Sequence, residues 1–296
     1  MAQGLQTVTI AAGVGSIRSD ARGFSRLGAL YRQLKDIRDS QIRVDLSQVD
    51  WFDGHMAAPM NVVVRKIAAQ GNKVAFTRPK PDVETVLRKN GFLPEAIPDF
   101  HKTTMPLTEF ALTQGVDFSL YAKRHLARRE MPKMSLSLRG KFFEGIDELF
   151  ANSALHSKSS FGITVGGQFF PKSDRIDFTI SDGGVGIPGA VRQSRLKPTE
   201  NSDPGLIHWA MQDNNTTRQG DIPGGLGSRI LRDFVRLNRG KLIIASNGGF
   251  WRQSGEEVEV LRLGNAFPGT AVLLEVNTGD RNRYDFRPAP DPNSIW

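Results

Sequence analysis

The chain has 296 residues, 39% hydrophobic and 24% charged, which bounds it to a globular protein with a prior of two domains at about 150 residues each. Its net charge of +8 favours anionic partners. The basic residues are dispersed apart from one cluster at Lys123, Arg124, Arg128 and Arg129, and no interleaving of aromatic and basic residues indicates a nucleic-acid binder. The absence of cysteine excludes disulfides, thiolate metal sites and cysteine nucleophiles, and fits a reducing, cytoplasmic setting.

In chain order, the N-terminus MAQGLQTVTI has no basic region followed by an apolar block, so no signal peptide is expected. No apolar run reaches the ~18 residues of a transmembrane helix, so no membrane partner is expected. Residues 42–46, IRVDL, read as a short buried strand. Residues 55–70 are apolar at helical spacing and stop at Gly71. Residues 73–77, KVAFT, read as the next strand, ended by Pro79 and Pro81. Residues 82–90 read as a helix with an acidic first turn, closed by Gly91. This alternation predicts a small α/β domain with a partly parallel sheet. Residues 97–133, with Pro98, Pro106 and Pro132, read as a joint of short mixed elements. A long helix is predicted over 136–157 and paired strands over 162–170 and 175–181. A polar, lid-like segment follows over 187–224, with a short helix at 206–211. A helix over 226–238 ends at Gly240, and strands are predicted at 241–246, 257–264 and 271–276. Residues 278–296 read as an irregular tail.

The long helix carries Glu148, Asn152 and His156 at four-residue steps, one stripe with about 6 Å between successive groups along the axis. Two glycine turns follow, ISDGGVGIPG (180–189) and PGGLGSRIL (223–231). Neither is a P-loop. The first spells Gly184-x-Gly186-x-x-Gly189 after a strand, as a dinucleotide fingerprint does. A polar segment where a helix is required, and no acid-ended strand about 20 residues on, argue against a Rossmann site.

Taken together, the three stretches resemble the Bergerat-fold ATPase family of gyrase, heat-shock chaperones, MutL and the kinase domains of histidine kinases and anti-sigma factors. In order they match its asparagine box (Glu148 to Asn152), its first glycine box (Asp182, Gly184, Gly186) and its second glycine box (Gly225, Leu226, Gly227). The strand opening at Gly269 and Thr270 matches the family's closing strand. The resemblance spans about residues 115–277. It implies a sandwich of a mixed sheet with helices on one face, binding ATP and Mg2+. Asn152 would offer its amide oxygen to the magnesium ion, and Glu148 would orient or deprotonate the attacking nucleophile. Asp182 would accept a hydrogen bond from the adenine amino group. The glycines would let backbone approach base, ribose and phosphates, with the start of the 226–238 helix suited to phosphate. His156, Thr217 and Arg218 are further candidate phosphate contacts.

Residues 5–95 resemble the STAS domain of anti-anti-sigma factors, on the run IRVDLSQVDWFDGHMAAPMNVVVRKIAAQGNKVAFTRPKPDVETVLRKNGF. Where that family carries a phosphorylatable Ser or Thr after an Asp, this chain reads Asp53, Gly54, His55. Neither Gly54 nor His55 takes a stable phosphoester, so the usual serine switch is not expected, and His55 reads as a residue near a helix cap. The resulting expectation is an α/β two-domain chain: a STAS-like regulatory domain with linker over 1–112, a histidine kinase-like ATPase domain over 113–277, and a tail over 278–296. The expected function is a Mg-ATP-binding regulatory protein acting on a protein partner as a Ser/Thr kinase or ATPase switch, with a homodimer left open. The alternative is a nucleotide-binding interaction module without turnover. A histidine kinase proper is not expected, because His125 lies too close before Asn152 for a two-helix phosphoacceptor domain.

Overall fold

The computed structural model describes residues 6–194, 198–212 and 226–285. The first half runs β1 (Gln6–Ala11), β2 (Gly15–Ile17), α1 (Ala21–Leu34), β3 (Ser40–Asp45), β4 (Val49–Phe52), a single helical turn Gly54–Met56, α2 (Ala57–Ala68), β5 (Lys73–Thr77) and α3 (Pro81–Lys89). The second half runs β6 (Thr104–Phe110), α4 (Gly115–Leu126), β7 (Lys133–Met134), α5 (Leu136–His156), β8 (Ile163–Phe170), β9 (Arg175–Asp182), α6 (Gly186–Gln193), α7 (Asp203–Ala210), α8 (Leu226–Asn238), β10 (Lys241–Ser254), β11 (Glu257–Asn277) and β12 (Arg283–Tyr284).

β1, β3 and β5 form a parallel sheet with β3 in the centre. In β3, Ile42 and Val44 are buried while Gln41 and Arg43 are exposed, so one face packs on helices and the other meets solvent. Helix α1 starts where the Asp20 carboxylate accepts the Gly23 N–H at 2.7 Å, a side-chain N-cap. Its apolar stripe of Phe24, Leu27, Leu30 and Leu34 is buried at helical spacing.

The second sheet has the order β10-β11-β9-β8-β6 and is antiparallel throughout, where a mixed sheet was expected. β6 lies before residue 113, yet it forms the edge of this sheet by pairing with β8. Alternation along the strands divides the two faces. Leu242, Ile244, Val272, Leu274, Ile176, Phe178 and Ile180 share a core with α4, α5 and α8. Ile243, Ala245, Phe250, Phe267, Ala271 and Leu273 share a core with α1, α2 and the first sheet. Helices therefore cover both faces rather than one, because the helices of the first half supply the second cover. The layers run parallel sheet, helices, antiparallel sheet, helices.

Other departures are local. The joint read over 97–133 contains the 12-residue helix α4, with Phe118, Ala122 and Leu126 buried. The strands read at 257–264 and 271–276 are one strand, β11, and β10 runs on to Ser254 through register shifts at Ser246 to Gly249. Within the tail, Arg283 and Tyr284 pair in parallel with Lys133 and Met134. The described part of the 187–224 segment is no loose lid. It forms α6 and α7, which bury Val191, Leu206 and Ile207. They are clamped by Arg192 to Asp203 (2.6 Å) and by the Gly248 N–H to Asp203 (2.7 Å).

Candidate functional site

The site is best built from Asp182, the last residue of β9. Antiparallel register places it opposite Thr270 on β11. The backbone beyond it turns at once, and the Gly184 N–H donates to Asp182 Oδ1 at 2.9 Å. The same turn closes on the C-terminal end of α5, with the Val185 N–H donating to the Ser157 carbonyl at 2.8 Å. A Cβ on Gly184 would run into that Ser157 carbonyl, and Gly186, at φ +79°, has Asn247 where its Cβ would stand. Both glycines are thus required by the packing of the turn itself. Asn152 and Ser153 lie in the last turns of α5, so the stretch carrying Asn152 and the stretch carrying Gly184 meet here.

Asp182 is 2% exposed. Burial pushes its carboxyl up to about 6, against the opposing pull of the Gly184 N–H, the Ser153 hydroxyl and the charge of Lys66. Lys66 belongs to α2, so the first half of the chain contributes a charge to this environment. α2 also supports the turn directly: the Arg65 guanidinium lies 5.9 Å from the centre of the Phe161 ring, on which Gly183 rests. Thr270, also buried, is tied to Ser246, whose hydroxyl lies 3.0 Å from Thr270 Oγ1 and accepts the Ile187 N–H at 2.8 Å. Ser246 therefore joins β10, β11 and the start of α6.

On α5, the Ser135 hydroxyl caps the N-terminus by accepting the Leu138 N–H at 3.2 Å. Leu138, Phe142, Ile146 and Phe150 form the buried stripe, and Phe150 stacks on Phe118 at 4.5 Å. Glu148, Asn152 and His156 are half-buried, on a different stripe of the helix. Leu226 and Gly227 open α8, which packs on α5 through Phe234 against Phe142, 5.2 Å between ring centres. Thr217, Arg218 and Gly225 lie outside the described residues. Among the described residues, no cluster of three or more His, Asp or Glu could hold a metal. A magnesium ion at Asn152 would therefore draw most of its oxygen ligands from phosphates and water.

The structure revises the grounds on which a Rossmann site was set aside. A helix, α6, does begin within the glycine turn, at Gly186, and includes Gly189. The decisive feature is instead that β9 is antiparallel to both neighbours, so no parallel strand–helix–strand unit carries the Gly184-x-Gly186-x-x-Gly189 turn.

Sequence reasoning passed over Ser153, Ser246 and Lys66. The first two are small polar residues at element ends, and Lys66 is distant in sequence. It also undervalued His55, which is fully buried between α2 and β9. Its Nδ1 lies 3.3 Å from Asp177 Oδ2, and Arg175 Nε lies 3.3 Å from the same oxygen. Arg175 also approaches Asp53 at 3.6 Å and Glu275 at 3.5 Å. Burial pushes the imidazole down to about 4 and the Asp177 carboxyl well up. The Asp53-Gly54-His55 segment is thus docked on the antiparallel sheet rather than presented to solvent. Comparison with known protein families finds none that matches this chain, and no curated protein matches it either.

Proposed function

We propose that this chain is a Mg-ATP-binding regulatory protein of the histidine kinase-like ATPase type, with a STAS-like first half, acting on a protein partner by phosphoryl transfer or as an ATPase switch. The observation that carries the reading is Asp182. Burial holds this carboxyl up at about 6 although it already accepts from the Gly184 N–H, so a further donor such as the exocyclic amino group of adenine would stabilise its charged form. Its neighbours suit that role: Thr270 lies opposite in register, and the end of α5, with Asn152 one residue before Ser153, adjoins the same turn.

In this reading Asp182 selects adenine over guanine by accepting from its amino group. Asn152 offers an amide oxygen to magnesium, which when bound would neutralise phosphate charge. Glu148, one turn earlier on the same stripe, orients the attacking hydroxyl or water and takes its proton. The backbone at the start of α8, at Leu226 and Gly227, offers N–H groups to phosphate.

The test is calorimetric titration of Mg-ATP into wild type, Asn152→Ala and Glu148→Ala, with release and transfer of labelled γ-phosphate followed in the same samples. Asn152→Ala should lose magnesium-dependent affinity by tenfold or more. If it binds as tightly as wild type, the assignment fails. Glu148→Ala should bind and not turn over. Binding by wild type with no release and no transfer, even with cell extract as a source of partner, would favour an interaction module without turnover.

A further inference from the structure

A cleft of about 420 Å³ opens elsewhere, where the end of α4, β7, the first turns of α5 and β12 meet. Its floor is apolar, built from Leu126, Met131, Pro132, Phe142 and Phe143. Its walls carry five cations, Arg128, Arg129, Lys133, Arg139 and Arg283. Glu130 is shared between Arg128 (3.4 Å) and Arg129 (3.5 Å). Arg128 is further fixed by donating to the Lys102 carbonyl at 2.7 Å. Among the described residues, no carboxylate pairs with Lys133, Arg139 or Arg283.

The parallel pairing of β7 with β12 sets Lys133 and Arg283 in register, on strands roughly 5 Å apart. Like charges opposite one another on adjacent strands repel. A dianion between them would reverse the sign of that interaction. We propose that this cleft binds a small organic phosphate, with its phosphate held by Lys133, Arg139 and Arg283 and an apolar body seated on the floor. A nucleic-acid groove fits less well. Further along α4, Lys123 faces Glu144 and Asp147 across the neighbouring hollow, so the basic track does not continue.

The proposal does not depend on the ATP reading, and the probe, 1-naphthyl phosphate followed by its fluorescence, contains no adenine. Wild type should bind it at least tenfold more tightly than 1-naphthol or inorganic phosphate. Arg139→Glu with Arg283→Glu should weaken it at least tenfold while the melting temperature holds, since a carboxylate at 283 faces Lys133 in register. Arg236→Glu, outside the cleft, and Asn152→Ala should bind as wild type. Equal affinity in wild type and the double variant would overturn the proposal, as would loss of binding in Asn152→Ala. So would capture of a single-stranded oligonucleotide or of phosphatidic-acid vesicles, lost in the double variant, with no binding of the soluble probe.

Discussion

In the proposed ATP site, Asp182 would set stability against binding. Its carboxyl is held up at about 6 in the fold, above the 3.8 of a free aspartate side chain. Between those values the folded chain binds the proton more tightly than the unfolded chain does. Stability therefore falls as pH rises through that window, and the cost persists above it, on the order of 3 kcal/mol for a shift of this size. Asp182→Asn removes the titration. Denaturant unfolding should show the variant more stable than wild type at pH 8 and not at pH 3.5; the same difference at both pH values would contradict the account. The same substitution should lower ATP affinity tenfold or more. If the Asn oxygen keeps the Gly184 N–H, its amide NH2 meets the adenine amino group, donor against donor. Gly184→Ala separates two explanations of that glycine. If it is there for a ligand, the variant folds normally and binds poorly. The Ser157 carbonyl, standing where its Cβ would be, instead predicts a loss of about 1–3 kcal/mol in the absence of nucleotide, read as a lower urea midpoint.

At the scale of elements, α2 carries the most unusual environment, because its leading turn buries His55 against β9. The imidazole is down at about 4 in the fold, below the 6.5 of a free histidine side chain. Between these values the unfolded chain binds more protons, so this group's contribution to stability rises with pH across the window. Asp177, pushed up by the same burial, works in the opposite direction, and Asp53, Arg175 and Glu275 also face the cluster. The difference in unfolding free energy between wild type and His55→Gln isolates the imidazole. It should grow in favour of wild type from pH 4 to pH 6.5, and a flat difference would mean that the ring is charged in the fold. None of this burial was legible in the sequence, where His55 read as a residue near a cap. Elements whose apolar period is unbroken were legible: α2, α5, α8, β5 and the β8–β9 pair lie within a few residues of their predicted bounds. α1 was missed because Gly23 and Gly28 interrupt its stripe, and α4 because prolines on either side suggested a joint. β11 was divided because Pro268 and Gly269 resemble a break, whereas the strand carries on. Local pattern showed that Asp182 precedes a turn. It could not show Thr270 opposite, or the end of α5 closing over the turn, since both depend on pairing distant segments.

At the scale of the whole molecule, the length suggested two domains without showing how they pack, and in the fold their layers are continuous. Phe24 of α1 meets Phe250 and Phe267 of the antiparallel sheet with ring centres 6.3 and 5.8 Å apart. Ile243, Leu263 and Leu273 belong to that same buried cluster. Beside this apolar seam runs a polar one. Asn61 of α2 donates to Thr164 at 3.2 Å, and Gln168 of β8 accepts from the Gly54 N–H. Removing residues 1–98 would return five large side chains to water, at about 1.5–3 kcal/mol each, or on the order of 10 kcal/mol in all. That is comparable to the whole stability of an ordinary domain. It would also leave Asp177 and Arg175 of the His55 cluster without their cover. Residues 99–296 expressed alone should therefore be insoluble or lack cooperative unfolding, and the full chain should melt in one transition followed alike by tryptophan fluorescence and far-ultraviolet circular dichroism. A soluble fragment with its own sharp transition would mean that the halves are separable after all. It would also mean that the charge Lys66 lends to Asp182 is not needed to hold that turn. A single transition in the full chain would show instead that the two halves unfold as one unit, with α2 packed against both.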